Sequence, residues 1–188
     1  FSYGPDSKYI NSIKLKIQKY NLGNRIIWLP LLNHEEMANH YNLCDLVISI
    51  PSSDSSPRSV YEAALCKKPI IVSGWSGHTD FLNKEFSLFV GGELKPIDKS
   101  AVQENMLIAE SKWFTPSYDE ASLGLKAIYT DYDEYLEKAK RQSYICRTEF
   151  SLEKMEEKLV GILDKSIVPK EIPLPKLKKS KLPTLNKV

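Results

Sequence analysis

No apolar run in this sequence approaches the roughly 20 residues that a membrane-spanning helix needs, and no charged start followed by an apolar core marks a signal peptide. Paired cysteines are lacking as well: Cys44, Cys66 and Cys146 are odd in number and far apart. That argues against a disulfide framework and makes a reduced, cytoplasmic compartment the expectation. His34, His40 and His78 have no partner at a metal-ligand spacing, so they read as surface or capping residues and no metal site is expected. Charge of one sign is scarce too. The 26 Lys and Arg against 24 Asp and Glu leave a net charge of +2, too little for a nucleic-acid footprint, and no strand interleaves aromatic and basic residues as an RNA reader does. What remains is a composition ordinary for a globular domain, 42% hydrophobic and 27% charged over 188 residues, enough for one well-filled core.

The most informative stretch runs from Asp54 to Pro69, between two apolar runs. Asp45-Leu-Val-Ile-Ser-Ile50 and Pro69-Ile-Ile-Val-Ser73 are short, β-branched and apolar on both faces, the pattern of strands buried in a parallel sheet. Strand, helix, strand is a βαβ unit. Ser56 stands where an N-cap belongs and Pro57 at the first helical position, where its missing N–H costs nothing. The amides of Arg58 and Ser59 then have no intrahelical acceptor and carry the positive end of the helix dipole, a place suited to a phosphate. Glu62 follows about one turn, roughly 5 Å, along the same side. With a diphosphate on the amides, Glu62 would meet a ribose, whose two hydroxyls suit an acceptor-only carboxylate, and Asp54 would face a sugar at the other end. Either acid alone is an ordinary surface or capping residue. The joint pattern carries the weight: acid, small polar loop, Ser-Pro, second acid, then Ala63-Ala64, which lets the helix pack close to the sheet.

The stretch Asp-Ser-Ser-Pro-Arg-Ser-Val-Tyr-Glu-Ala-Ala-Leu-Cys-Lys-Lys-Pro resembles the acid-x7-acid motif of retaining, nucleotide-sugar-dependent glycosyltransferases of the GT-B fold, the large glycosyltransferase group 1 family. Gly4-Pro5 is similar to the end of that family's Gly-x-Gly-Pro strand, and Asn24 to Leu29 to the strand before its base-binding loop. Glu35 to Asp45 is similar to the helix that leads into the motif strand, and Glu149-Phe150-Ser151 to the late helix start. Lys67-Lys68 stands where the family has a Gly-containing pair. The resemblance implies that Glu62 binds the ribose, that the amides of Arg58 and Ser59, next to Ser56, hold the diphosphate, and that Asp54 touches the donor sugar as the catalytic acidic residue. It also places the nucleobase near the loop Pro30 to Asn33, with Leu32 as its contact. No cofactor beyond the donor is implied.

The fold class expected is α/β: a Rossmann-like, doubly wound parallel sheet of the GT-B C-terminal half, its first strand missing, followed by C-terminal helices. An amphipathic helix is expected over Asp6 to Asn21 with Gly23 as its stop, a strand over Arg25 to Leu29, and a helix capped by Asn33 with Glu36 at its third position. Ser76 to His78 reads as a turn into a short helix through Phe81-Leu82. Ser87 to Val90 reads as the last strand, and the loop Gly74 to His78 should line the crevice at the carboxyl ends of the strands. Helices are expected over Asp98 to Glu110, Ser117 to Tyr129, Asp131 to Arg147 and, capped by Ser151, Leu152 to Lys165. Trp113, Phe114, Tyr118, Tyr129, Tyr132 and Tyr135 read first as core aromatics.

Residues 1–166 thus read as one donor-binding domain with C-terminal helices, and 167–188 as an extended or disordered Pro- and Lys-rich tail. Such a tail could hold the chain on the cytosolic face of a membrane with anionic lipid, suiting a lipid-linked acceptor. Phe1-Ser-Tyr-Gly4 looks like the last residues of a strand, so the chain reads as an N-terminally truncated donor half, inactive by itself. The function expected is retaining transfer of a hexose from a nucleotide-diphosphate sugar to a glycan or lipid-linked acceptor. Two alternatives stand beside it: a sugar-nucleotide epimerase of the same architecture, and a non-catalytic subunit that binds a nucleotide-sugar. No nucleic-acid partner is expected.

Overall fold

The computed structural model describes residues 8–52, 54, 57–102 and 106–166. Its helices are α1 (Lys8–Lys19), α2 (His34–Leu43), α3 (Arg58–Leu65), α4 (Tyr118–Thr130), α5 (Tyr132–Glu149) and α6 (Leu152–Ser166), and its strands β1 (Val47–Ser49), β2 (Ile70–Ser73), β3 (Leu88–Val90), β4 (Gly92–Pro96) and β5 (Lys112–Pro116). The two apolar runs flanking the acidic motif are neighbours, as the βαβ reading requires. β1, β2 and β3 form a parallel sheet in that order, with Val47 opposite Ile70 and Ile71 opposite Leu88.

Helices cover both faces of this sheet, and alternation along β2 explains how. Ile70 and Val72 join Val60, Ala63 and Ala64 of α3, Tyr41 of α2 and Cys146 of α5 in one buried cluster. Ile71, between them, points the other way and packs with Val90 and with Ala121 and Ile128 of α4 in a second. Each Val or Ile buried in this way contributes about 1.5–3 kcal/mol of transfer free energy. The small Ala63-Ala64 pair is fully enclosed and lets α3 lie close to the strands, as read from the sequence. The second cluster does not reach across the whole sheet: Ile48 of β1 is exposed, so that strand is not buried on both faces as its composition suggested.

The caps at Asn33 and Ser151 are as read, and Ser117 adds another. Asn33 and Glu36 form a reciprocal capping box on α2, the Ser117 hydroxyl accepts the Glu120 amide hydrogen at the start of α4, and Ser151 Oγ accepts from Lys154 N at the start of α6. Other boundaries differ. α1 ends at Lys19, and the residue that stops it is Asn21 rather than Gly23: Asn21 takes φ 52, and the amides of Asn21 and Leu22 bond back to Gln18 and Ile17, the reverse turn that closes a helix end. Gly23 instead opens a short 3-10 turn, Gly23–Arg25. Ser76 to Leu82 likewise forms only a 3-10 turn, Gly77–Asp80.

Two larger expectations fail. Arg25 to Leu29 is no strand; Ile26 is extended, but no described strand lies beside it to complete a ladder, and Ile27, Trp28 and Leu29 stay exposed. The described residues of Asp98 to Glu110 form no α-helix either, only the 3-10 turn Lys99–Ala101; Val102, Met106 and Ile108 are exposed and make no buried face. Ser87 to Val90 is therefore not the last strand. The chain continues from β3 into β4, which pairs antiparallel with β5, Gly92 opposite Pro116 and Leu94 opposite Phe114. Gly92 is required there: a β-carbon would lie 2.3 Å from the Thr115 carbonyl oxygen and 2.6 Å from the Phe114 ring. Nor do the late aromatics form one core. Phe114 is buried, but Tyr118 and Tyr129 are exposed, and the Tyr132 hydroxyl donates to the Asp45 carbonyl at 3.1 Å.

The strand stub at Phe1 to Tyr3, Gly4-Pro5, Ser56 and the 167–188 tail lie outside the described residues.

Candidate nucleotide-sugar site

α3 starts one residue later than expected. Pro57 is the cap, with extended backbone (φ −70, ψ 94), and no side chain among the described residues caps the helix. Its carbonyl accepts from both Val60 N, at 3.0 Å, and Tyr61 N, at 3.3 Å. The amides of Arg58 and Ser59, the first two of the helix, have no acceptor among the described residues. They stand exposed at the carboxyl end of the sheet with the helix dipole behind them.

Along α3 from these amides, Glu62 opens onto a groove of about 230 Å³ lined by His34, Ala38, Tyr41, Glu62, Leu65 and Cys66. α2 presents His34, Ala38 and Tyr41 at positions i, i+4 and i+7, one face of a helix. Arg58 Nε donates to Glu62 Oε1 at 2.7 Å, and Arg58 Nη2 lies 2.6 Å from His34 Nδ1. With Arg58 67% and Glu62 28% exposed, this ion pair contributes at most about 1 kcal/mol and can open for a ligand. Tyr41 is only 5% exposed. Burial pushes its pKa up to about 12, and the Glu62 carboxylate beside it works in the same direction.

On the other side of the helix start lies the loop that holds Asp54. Ser76 Oγ donates to the Asp54 carbonyl, tying the loop after β1 to the loop after β2. A second groove, of about 470 Å³, is lined there by Gly74, Trp75, Ser76, Gly77, Thr79 and Asp80. The expectation that Gly74 to His78 lines a crevice at the strand ends thus fits the geometry. His78 itself is not a surface residue: it is fully buried, and Nε2–H donates to the Ser73 carbonyl at 2.5 Å. β5 reaches the same corner, with Phe114 N donating to the Ser52 carbonyl at 3.2 Å.

The fold therefore brings together Asp54, the Arg58 and Ser59 amides and Glu62, while Ser56 lies outside the described residues. Leu32 is half-buried but does not line the Glu62 groove; His34, two residues on, does. Sequence reasoning missed His34 and Tyr41, although their shared helical face was a usable signal. Among the described residues no three His, Cys, Asp or Glu side chains converge as a metal site would require.

The family model for glycosyl transferases group 1 matches residues 3–101, just over half of the chain and all of the motif region. The chain belongs to the glycosyl transferases group 1 family. Among solved structures, a sucrose-phosphate synthase from Thermosynechococcus elongatus matches with a TM-score of 0.60 at 18% identity, covering 86% of this chain and 35% of that one. HepE of Anabaena, solved in complex with UDP-glucose, matches with a TM-score of 0.62 at 17% identity, covering 85% and 38%. HepE in complex with UDP and glucose gives a TM-score of 0.62 at 16% identity. The chain thus spans little more than a third of these structures. At these identities they establish the fold, the GT-B Rossmann-like half. No curated protein matches the chain.

Proposed function

We propose that this member of the glycosyl transferases group 1 family is the donor-binding half of a retaining hexosyltransferase that uses a nucleotide-diphosphate sugar. The observation that carries the reading is the start of α3. Two amides there lack acceptors among the described residues, with a carboxylate-lined groove along the helix from them and the Asp54 loop on the other side. A diphosphate on those amides puts the ribose at Glu62, the base toward His34 and Leu32, and the hexose toward Asp54. The UDP-glucose bound by HepE is a donor of this class.

In the reaction proposed, the bond from the sugar's C1 to the β-phosphate oxygen breaks, and its electron pair leaves with the diphosphate. The acceptor hydroxyl bonds to C1 from the same face, and its proton passes to the departing phosphate oxygen. The Arg58 and Ser59 amides stabilise the charge that gathers on the leaving group, so the chain's contribution is positioning and electrostatics. Asp54 orients the sugar and stabilises positive charge at C1. The acceptor is a glycan or a lipid-linked sugar, met on the cytoplasmic side, with the 167–188 segment as a basic contact to anionic lipid.

Titration of the 15N-labelled chain with UDP- and GDP-sugars tests the donor site: the amide resonances of Arg58 and Ser59 should move most. No movement at either residue with any nucleotide-sugar would remove the proposal. Retention is checked by proton NMR of the first product formed by the enzyme with its acceptor half, whose anomeric coupling should match that of the donor.

A further inference from the structure

The second groove has features that donor binding does not account for. Trp75 is 44% exposed, and one face of its indole is stacked on Phe114 of β5, with ring centroids 6.0 Å apart and planes 6° from parallel. Phe114 is buried and held by its backbone bond to Ser52, so the indole rests on a fixed support with its other side toward solvent. Next to it, Ser76 takes φ 89 and ψ −172, a conformation that strains a residue with a side chain and persists only where the surroundings enforce it. Here the Ser76 hydroxyl bond to Asp54 enforces it from one side. The Thr79 hydroxyl, donating to the Ser76 carbonyl at 2.7 Å, and buried His78 beneath the loop enforce it from the others. The Asp80 carboxylate is exposed and makes no ion pair or hydrogen bond among the described residues.

A held aromatic plate beside a free carboxylate is complementary to a pyranose ring. The axial C–H bonds of such a ring carry partial positive charge suited to the negative face of an indole, and its equatorial hydroxyls donate to a carboxylate. The Trp75 groove shares no lining residue with the Glu62 groove, and it adjoins Asp54, where the donor's reacting end is placed. We infer that Trp75, backed by Phe114 and accompanied by Asp80, is a binding platform for a sugar ring of a glycan acceptor. This rests on the donor reading only for the direction in which the acceptor lies; the platform itself stands on its own geometry.

The test uses the 188-residue chain and the indole N–H signals of its three tryptophans, Trp28, Trp75 and Trp113, with Trp75→Phe assigning the Trp75 signal. Methyl glycosides of glucose, mannose and galactose, and short oligomers of each, are titrated up to roughly 50 mM, a range that reaches contacts with millimolar Kd. At least one should move the Trp75 indole signal while leaving the Arg58 and Ser59 amides in place, and Asp80→Asn should weaken that response about tenfold. UDP alone should do the reverse, moving the amides and not the indole. A UDP- or GDP-sugar that moves the Trp75 signal when no glycoside does would assign the platform to the donor's own sugar and overturn the acceptor inference. Silence of the indole toward every glycoside and nucleotide-sugar would overturn it as well, whether or not the amides respond to UDP. Loss of the amide response with a persisting indole response would refute the donor reading and leave the platform intact.

Discussion

Replacing Glu62 by Gln keeps the volume of the side chain and removes one acceptor oxygen and its charge, which separates two roles. If the carboxylate receives ribose hydroxyls, its hydrogen bonds are worth about 1.5–3 kcal/mol, so nucleotide-sugar affinity should fall about 10- to 150-fold. Folding stability should barely change, because the ion pair that is lost has Arg58 67% exposed and is worth at most about 1 kcal/mol. Tyr41 supplies an internal control. Its pKa stands at about 12 chiefly through burial and secondly through Glu62, so in Glu62→Gln it should come down toward the ordinary tyrosine value without reaching it. The sign of the linkage follows. A tyrosine whose folded pKa is raised contributes stability that is complete below about pH 10 and declines as the pH climbs toward 12, since the unfolded chain ionises first. By pH 11 the decline should be about 1 kcal/mol, and it should be smaller still in the variant. Calorimetry with UDP- and GDP-sugars, alkaline spectrophotometric titration and denaturant unfolding at pH 9 and 11 measure the three quantities. Glu85→Gln, which removes an exposed carboxylate away from the groove, is the reference. Affinity equal in the two variants would refute the ribose assignment, and an unmoved Tyr41 would refute the groove geometry.

Lys67 holds φ 58 after α3, where its amide and that of Lys68 close the helix onto Ala64 and Ala63; Lys67→Gly should raise stability by about 0.5–1 kcal/mol in urea melts. Gly92→Ala drives a methyl group against Thr115 and Phe114 and should cost about 1–3 kcal/mol while changing tryptophan fluorescence through the Trp75 stack. Thiol reagents at pH 8 should label the half-buried Cys44 and Cys66 and spare Cys146, whose pKa burial raises; UDP should slow labelling of Cys66, which lines the Glu62 groove. Pro57→Ser should lengthen or strengthen α3 by about 1 kcal/mol in thermal melts yet weaken UDP binding, because its hydroxyl can take the Ser59 amide that a phosphate would use.

The parts of the fold that could be read from the sequence are those whose neighbours are also near in sequence. β2 is buried at every position because helices cover both its faces, and the caps at Asn33 and Ser151 act within a single turn. Arg25 to Leu29 and β5 have comparable strand character, but a strand is completed by its partner. Lys112–Pro116 finds one in Gly92–Pro96, and Ile26 to Leu29 finds none among the described residues. Burial falls at every second residue, Phe114 and Pro116, but Lys112-Trp-Phe-Thr-Pro116 does not alternate apolar with polar side chains, and the helical reading of the segment before it hid the hairpin.

The candidate site divides along the same line. Asp54, Arg58, Ser59 and Glu62 lie within one loop and one helix, so their spacing alone was enough to propose a common ligand for them. His34 and Tyr41 on one side, and Trp75 with Phe114 on the other, join them only through tertiary packing, and no local pattern announces that. The one local error, Pro57 as first helical residue rather than cap, bears on the chemistry. A Ser or Asp cap would accept the second or third amide of the helix and add about 1 kcal/mol of stability. Proline has no side-chain acceptor to offer, and its carbonyl takes the amides of Val60 and Tyr61 instead. The cap bond is forgone, and the amides of Arg58 and Ser59 are left for a ligand. A weaker helix start is thus the physical condition for the anion site proposed at the carboxyl end of this sheet.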